Sequence, residues 1–592
     1  MVKGVTGHIE RWGVLFFVLC VAVFAWQSFV VALDTQLGGV GNMLHEWHVV
    51  AISIANSLLL LLPYWLLPRR CRWLVWIPLT LMTAWCLMQM CYCRAYDDLM
   101  PWRSLTLTSN VNSTLAASTL ALLRWQDLLI VVPFLLLVVV CLVGKKTDAT
   151  GNPRKWLLYS VLACLVTGAW GYIFGNDSFE KRFLHNFSNR GYYGQNGLIP
   201  YAAFSLYQEL IIPHSVTDEE RAMVQRFIDE DCPHYTDNPY CGSERPNLVL
   251  LIVESLHTWP IGMEVDGREV TPVLNRLVES DSVIYAPHVL FQTSHGHSSD
   301  AHFIYNTGLL PLRDGVVAVN WGDKDYPTLA AALEGYDCRE VICTPGINWN
   351  QNVTARTYGF DTLYTRDHLT ADGALMRHNN VDDAALTDFV ARLLPQLKQP
   401  FFLEMVTMTM HAPYTDGKLS GSWITASDTL NAEARGYLNC VHLTDSCIGA
   451  FINDLQRLGL ARNTVLAIVS DHTQLYYNRI VGRSDYEFVP DDWGIPLIIA
   501  GCDTTLRYDQ VIGQVDVFPT LLDVMGANAY TWKGLGHSIL RFPVRGAIQP
   551  RNMSVIGDST ALTPHQRRAW DISRIVIFDN DDHHYYDSGV KR

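Results

Sequence analysis

Basic residues are scarce in this chain of 592 residues. Lysine and arginine together number 44, against 58 aspartates and glutamates, which gives a formal net charge of −14. The sequence has no block of lysine and arginine, no low-complexity tract and no internal repeat. A nucleic-acid-binding protein presents a basic face, so this charge balance argues against nucleic acid as a partner.

Apolar residues, in contrast, are abundant: they make up 49% of the chain and are concentrated towards its N-terminus. A chain of this length is too long for one compact core, so at least two domains are expected. Five apolar stretches precede residue 176, each close to the ~20 residues that a membrane-spanning helix needs. We therefore predict a bundle of five transmembrane α-helices within residues 1–175, at 12–33, 49–67, 73–93, 128–143 and 156–174.

The distribution of lysine and arginine predicts how this bundle is oriented. Basic residues precede the first stretch and fill the second and fourth loops, whereas the first loop, residues 34–48, has none. Arg94, Arg103 and Arg124 in the third loop are the exceptions. By the positive-inside rule the N-terminus is cytoplasmic and everything beyond residue 174 lies outside. That compartment is one in which a disulfide between Cys232 and Cys241 is allowed.

The remaining chain divides into a connector and a large domain. Residues 176–245 are predicted to be a juxtamembrane connector with one helix, which starts at the capping box formed by Thr217 and Glu220. From residue 246 onward, short apolar runs alternate with amphipathic helical segments. This pattern predicts an α/β domain over residues 246–592, with a mostly parallel sheet covered on both faces. The predicted strands are 248–253, 339–343, 401–406, 464–469 and 496–500.

Polar residues follow three of these predicted strands directly. The first strand runs into Glu254, the strand 464–469 runs towards Asp471 and His472, and the strand 401–406 leads to His411. Ligands of such sheets bind beyond the carboxyl ends of the strands, so these side chains are expected to meet. Carboxylate oxygens with an imidazole suit Mn²⁺ or Zn²⁺. Taken singly, each residue could equally be a helix cap or a structural histidine.

A candidate nucleophile lies in the polar, glycine-containing segment QTSHGHSSD, residues 292–300. It leads into an apolar helical pattern, so Ser298 would stand where free backbone N–H groups can bind a phosphate. A serine activated by a neighbouring metal is a good nucleophile towards phosphorus. For Ser299 we expect the simpler role of helix N-cap.

Seven motifs in order make the chain resemble the lipoteichoic acid synthase family. This family is the phosphoglycerol-transferring branch of the alkaline phosphatase/sulfatase superfamily, with five membrane helices and an extracellular sulfatase-like domain. The resemblance covers the chain from end to end. The motifs are NLVLLIVESL (247–256), TPVLNRL (271–277), QTSHGHSSD (292–300), WNQN (349–352), HAPY (411–414), SDH (470–472) and QVDVFPTLL (514–522).

The resemblance implies specific roles for these positions. It makes Glu254, Ser298, Asp471 and His472 the ligands of one divalent metal, with Ser298 also the nucleophile. Trp349 and His411 fall where the family contacts the substrate headgroup, and His411 could also assist proton transfer. The donor would be a membrane phospholipid and the acceptor an envelope glycan or glycolipid. The protein would be a multi-pass protein of the bacterial cytoplasmic (inner) membrane, with its catalytic domain extracytoplasmic or periplasmic.

Two departures from the family pattern concern the chemistry. Ser298 replaces the usual threonine, which keeps the hydroxyl. Gln351 replaces the usual arginine two residues after the tryptophan, which removes a charged, bidentate phosphate donor. We therefore expect transfer of phosphoglycerol from phosphatidylglycerol through a phosphoserine-type intermediate, with a phosphoethanolamine transferase as the nearest alternative.

Three other functions are less well supported by the sequence. A true sulfatase needs a Cys or Ser followed two residues later by proline and then by arginine, and the segment after Ser298 has neither. A two-metal phosphodiesterase needs further ligands; His442 and Asp445 are of the right type but lie in a predicted helix, where they would support the fold. A non-catalytic lipid sensor predicts loss of the metal ligands, which are all retained here.

Overall fold

The chain forms two compact units in the computed structural model, Met1–Pro213 and His214–Arg592. The structure describes residues 2–35, 47–96, 99–100, 102, 123–143, 152–173, 192–193, 196–211, 216–241, 245–313, 315–370, 376–377, 380–411, 414, 422–424, 430–473, 494–550 and 552–579.

The N-terminal unit is helical. Each of the five apolar stretches falls on a helix, and a sixth helix follows them. Within the described residues, three segments are long and apolar enough to cross a membrane: Gly13–Ala32, Arg70–Arg94 and Trp125–Leu142. Val50–Leu66 and Leu198–Tyr207 are shorter apolar helices, so the number of five crossings stays a prediction. The main helices are α1 (Val2–Thr35), α2 (Trp47–Leu61), α3 (Trp76–Tyr96), α4 (Leu128–Val143), α5 (Pro153–Ile173) and α6 (Leu198–Ile211).

Buried polar contacts connect these helices. Gln27 on α1 donates a hydrogen bond to the Thr83 hydroxyl at 2.9 Å and another to the Ile130 carbonyl at 3.0 Å. Arg94, at the end of α3, binds Asp127 through two nitrogen–oxygen contacts of 3.0 and 2.8 Å. This paired geometry neutralises one of the basic residues that disagreed with the predicted orientation.

The C-terminal unit is built on one nine-stranded mixed sheet. Its strands are β1 (Asn247–Val253), β2 (Val283–Leu290), β3 (Asp337–Ile342), β4 (Thr362–Tyr364), β5 (Phe401–Val406), β6 (Thr464–Ser470), β7 (Ile495–Ala500), β8 (Leu506–Arg507) and β9 (Ile512–Gly513). In spatial order the main strands run β8-β2-β7-β6-β1-β5-β3-β4, and β9 also pairs with β2. The central pairs β6–β1, β1–β5, β5–β3 and β3–β4 are parallel, whereas β7 is antiparallel to both of its neighbours.

Helices cover both faces of this sheet, as the sequence predicts. One face of β1, with Val249, Leu251 and Val253, packs in a large apolar core against the helices Asp383–Leu393 and Ala432–Arg457. The other face includes the position of Leu250, which is in register with Glu404 on β5. The principal helices are α7 (Asp218–Arg226), α8 (Pro272–Val278), α9 (Ser298–Thr307), α10 (Gln351–Thr357), α11 (Asp383–Leu393), α12 (Ala432–Arg457), α13 (Val517–Val524) and α14 (Thr563–Phe578).

Smaller elements complete the unit outside this frame. Three two-stranded sheets pair Glu264–Val265 with Arg268–Glu269, Met376–Arg377 with Asn380–Val381, and Gly546–Ile548 with Val555–Gly557. Short helical turns cover Val317–Asn320, Leu329–Ala332 and Arg366–Leu369.

The segment 216–241 belongs structurally to the C-terminal unit. The capping box is present, because the Thr217 hydroxyl accepts from the Glu220 backbone N–H at 3.2 Å. Arg221 pairs with the buried Asp579 at 3.1 Å. The structure has no disulfide between Cys232 and Cys241. The division of the chain at residues 175 and 245 stays a prediction.

Candidate active site

The carboxyl ends of the central parallel strands bring the predicted polar residues together. Val253, the last residue of β1, is in register with Ser470, the last residue of β6. Glu254 follows the first of these, and Asp471 and His472 follow the second. All three side chains are buried, and each offers one ligand atom within 4.8 Å of the others.

Asp471 is held so that one of its oxygens stays available. Its Oδ1 accepts hydrogen bonds from the backbone N–H groups of Ser255 and His472, both at 2.7 Å. Its carbonyl accepts from the Gln514 side chain at 2.7 Å. Because Oδ1 is already satisfied, Oδ2 is left for a cation. The sequence motif contained Gln514, but nothing in the residue pattern indicated that this amide would support Asp471.

His472 is held in one tautomer. Its Nδ1 lies 2.8 Å from the Thr473 carbonyl, which can only accept, so Nδ1 carries the proton. The lone pair is therefore on Nε2. That atom lies 3.4 Å from Asp471 Oδ2 and 3.4 Å from the Ser298 hydroxyl. A carbonyl that fixes the tautomer in this way is typical of metal-binding histidines.

The surroundings of Glu254 in this cluster raise its pKa. Burial, together with the nearby Asp471 carboxylate, raises the pKa of Glu254 from 4.5 to about 7. The Ser255 hydroxyl donates to Glu254 Oε1 at 2.7 Å, and the Glu254 N–H donates to the Thr407 hydroxyl at 3.0 Å. Two buried carboxylates, an imidazole lone pair and a neighbouring hydroxyl are a donor set that fits one divalent cation.

Ser298 is the first residue of α9 and is partly exposed. A side chain at this position lies at the positive end of the helix dipole, which favours a phosphate group. His297 precedes it with a φ of +44°. This left-handed conformation is uncommon for a residue other than glycine, and strained backbone of this kind is frequent at functional sites.

Asp300 holds the loop in front of the nucleophile. Its Oδ2 accepts from the backbone N–H groups of Ser294 at 2.8 Å and Gly296 at 3.0 Å. Burial raises the pKa of Asp300 to about 7. A Cβ on Gly296 would lie 2.1 Å from Asp300 Oδ1, so the loop can approach this carboxylate only with glycine at that position.

The expected capping role of Ser299 is wrong. The helix starts one residue earlier, at Ser298, which makes Ser299 its second residue. The Ser299 hydroxyl donates to the Gly296 carbonyl at 2.8 Å instead of accepting a hydrogen bond from the backbone. It therefore ties the helix back to the preceding loop.

The predicted substrate residues Trp349, Gln351 and His411 differ in their burial and in their contacts. The centroid of the His297 ring lies 5.5 Å from that of the His472 ring and 6.4 Å from that of the Trp349 ring, so His297 contacts both rings. His411 is exposed and close enough for its charge to lower the pKa of Glu254. Gln351 is buried, and its Oε1 accepts from the Thr344 hydroxyl at 3.3 Å. Their substrate roles stay predictions.

His442 and Asp445 support the fold. Asp445 accepts hydrogen bonds from the backbone N–H groups of Val273 at 2.9 Å and Leu274 at 2.8 Å, at the start of α8. His442 Nδ1 lies 2.9 Å from the Val270 carbonyl. Asp445 thus caps a helix, and these contacts agree with the structural role expected from the sequence.

Comparisons with known proteins agree with this organisation. The family model of the lipoteichoic acid synthase N-terminal domain matches residues 4–211, and the sulfatase family model matches residues 246–527. Lipoteichoic acid synthase 2 of Bacillus subtilis is 23% identical over 568 residues, which cover 92% of this chain and 86% of that protein. The lipoteichoic acid synthase of Staphylococcus saprophyticus is 23% identical over 520 residues, which cover 82% of this chain and 79% of that protein.

A solved structure shows the same fold. The crystal structure of a lipoteichoic acid synthase from Listeria monocytogenes superposes with a TM-score of 0.51 and 18% sequence identity. The match covers 60% of this chain and 98% of that one. From the two family models, the relatives along the whole chain and this fold, the chain belongs to the lipoteichoic acid synthase-like proteins of the alkaline phosphatase/sulfatase superfamily.

Proposed function

We propose that this protein transfers phosphoglycerol from phosphatidylglycerol to an envelope glycan or glycolipid acceptor, with Ser298 as the nucleophile. One observation carries the proposal: the Ser298 hydroxyl stands 3.4 Å from His472 Nε2, at the open side of a buried cluster of two carboxylates and one imidazole. The N-terminal domain match and the similarity to lipoteichoic acid synthases support the choice of phosphoglycerol.

Glu254, Asp471 and His472 would hold one divalent ion, Mn²⁺ or Zn²⁺, together with the Ser298 oxygen. When bound, such an ion neutralises negative charge on the phosphoryl oxygens and favours the deprotonated serine. The residues themselves do the positioning. Asp471 Oδ1 and His472 Nδ1 are each fixed by hydrogen bonds, and Asp300 holds the loop that presents Ser298.

The reaction we propose is a double displacement. Ser298 Oγ loses its proton and forms a bond to phosphorus, and the bond from phosphorus to the diacylglycerol oxygen breaks. The diacylglycerol oxygen takes a proton as it leaves, and the headgroup stays on Ser298 as a phosphodiester. An acceptor hydroxyl then loses its proton and attacks phosphorus, and the serine oxygen leaves and regains a proton. His411 would contact the headgroup or carry one of these protons.

Gln351 favours a second donor, phosphatidylethanolamine. An arginine would offer a charged, two-pronged contact to the phosphate of a glycerol phosphate group. The amide of Gln351 has no charge, and its oxygen already accepts from Thr344. A phosphoethanolamine transferase on the same scaffold is therefore the alternative.

The two donors can be separated by assaying diacylglycerol release. The full-length protein in detergent is mixed with vesicles containing phosphatidylglycerol, phosphatidylethanolamine or phosphatidylcholine, with Mn²⁺ or Zn²⁺ added. We expect release from phosphatidylglycerol, none from phosphatidylcholine, and none with Ser298→Ala. Release from phosphatidylethanolamine alone would establish the alternative, and no release from any lipid would contradict headgroup transfer.

A further inference from the structure

A second buried cluster lies under the helix that carries the nucleophile. It consists of His302 on α9, Glu340 on β3 and Glu404 on β5. Glu340 and Glu404 are register partners on adjacent parallel strands, so both side chains leave the sheet on the same face. His302 lies four residues after Ser298, about one helical turn further along.

The three side chains are in close contact and sealed from solvent. His302 Nδ1 lies 2.8 Å from Glu404 Oε1 and 3.8 Å from Glu340 Oε1. The exposed fractions of the His302, Glu340 and Glu404 side chains are 6%, 3% and 0%. Asn306, one turn beyond His302, donates to Glu404 Oε2 at 2.7 Å.

This cluster holds two carboxylates against one histidine, and one of its oxygens has no hydrogen bond. Among the described residues, His302 is the only side chain within ion-pairing distance of either glutamate. One imidazolium would therefore face two carboxylates in the protein interior, where an uncompensated charge is strongly unfavourable. In addition, Glu340 Oε2 is buried and has no hydrogen-bond partner in the described structure.

We propose that His302, Glu340 and Glu404 form a second divalent-cation site, distinct from the cluster at the strand ends and structural in role. A doubly charged ion with a neutral imidazole balances both carboxylates and gives the unpartnered Glu340 Oε2 a binding partner. One nitrogen and two carboxylate oxygens suit Zn²⁺ or Mn²⁺. Because protein surrounds the site on all sides, the ion would fix α9, and with it Ser298, to the sheet.

The test counts metal ions in the full-length protein. Wild type and variants are purified in detergent, loaded with Zn²⁺ or Mn²⁺ alone, desalted, and analysed by inductively coupled plasma mass spectrometry. We expect two ions per chain in wild type, one in Asp471→Asn, one in Glu340→Gln and none in the double variant. The exposed Glu219→Gln is the matched control and should retain two ions.

Asp471→Asn decides the question even if Glu340→Gln fails to fold. Its remaining ion should show nitrogen and oxygen ligands by X-ray absorption, and chelation should lower its melting temperature. Ligation by sulfur would assign that ion to cysteines and overturn the proposal. So would an Asp471→Asn protein that binds no ion and melts at the same temperature with and without chelator. In that case protons, not a metal ion, neutralise the cluster.

Discussion

Two clusters of one histidine and two carboxylates lie along α9, and their surroundings differ. At the strand ends, Asp471 and His472 each have one polar atom satisfied by the backbone, and the partly exposed Ser298 is within 3.4 Å. Between the sheet and α9, Glu340 and Glu404 meet His302, and in the described part of the chain none of these three side chains is hydrogen-bonded to a hydroxyl. The same ligand types therefore suit chemistry in one place and structural support in the other.

The largest effect is expected from removing the nucleophile. Ser298→Ala should lower diacylglycerol release by about 10³-fold or more, as loss of a nucleophile does in serine enzymes. The free energy of unfolding should change by about 1 kcal/mol at most, because one small hydroxyl at a helix start is lost. The lipid assay and thermal melting measure the two quantities.

Ser299→Ala is the matched control for that variant. It removes the hydrogen bond to Gly296, so it should cost about 1 kcal/mol of stability while most of the turnover remains. Normal turnover in Ser298→Ala would mean that the acceptor attacks the lipid directly, and the covalent step would have to be abandoned.

One substitution in each cluster should separate an effect on turnover from an effect on stability. Asp471→Asn should abolish turnover while the fold persists, because it removes a ligand at the reaction site. His302→Gln should instead destabilise the protein by about 3–5 kcal/mol, the typical cost of breaking a buried pair. Turnover of His302→Gln, measured below its melting temperature, should stay within about tenfold of wild type, since the reacting groups are intact. Comparable losses of turnover in both variants would erase the distinction between the clusters.

The pH dependence of metal binding follows from Glu254. In the metal-free protein the pKa of Glu254 is about 7 against an ordinary 4.5, so the folded state keeps a proton that the unfolded chain has released. Metal-free stability should therefore fall as pH rises from about 5 to 7. Metal binding displaces that proton, so affinity should rise up to about tenfold per pH unit below pH 7 and level off above it. Calorimetric titration of Mn²⁺ across this range measures the slope, and a flat profile would contradict the ligand role of Glu254.

The smallest effect is expected at Asp445, which caps a helix and belongs to neither cluster. Asp445→Ala removes the cap from α8 and should cost about 1 kcal/mol of stability. Bound metal and turnover should not change. Loss of a metal ion in this variant would revive the two-metal phosphodiesterase reading.

The sequence predicted the part of the site that follows directly from strand order. Glu254, Asp471 and His472 each come at or just after the end of an apolar run, and parallel strands bring such ends to one edge. Hydrogen bonds between distant segments are not encoded in any local pattern. This is why the support that Gln514 gives to Asp471 was found only in the structure.

The strands themselves show a similar limit. The pattern of residues 339–343 and 401–406 predicts apolar core strands and indicates no role for the single glutamate in each. Only the register that pairs Glu340 with Glu404, and the helix above them, turns the two into a cluster. β2 was not predicted because Pro287 interrupts its pattern, and the ladder to β7 shifts register near that residue.

The covalent adduct on Ser298 gives the most direct test of the double displacement. The full-length protein is incubated with phosphatidylglycerol and metal but without acceptor, digested, and the peptide containing Ser298 is analysed by mass spectrometry. We expect a glycerophosphoryl group on Ser298 that is absent from Ser298→Ala and is lost when an acceptor is added. An unmodified Ser298 in protein that is releasing diacylglycerol would contradict it.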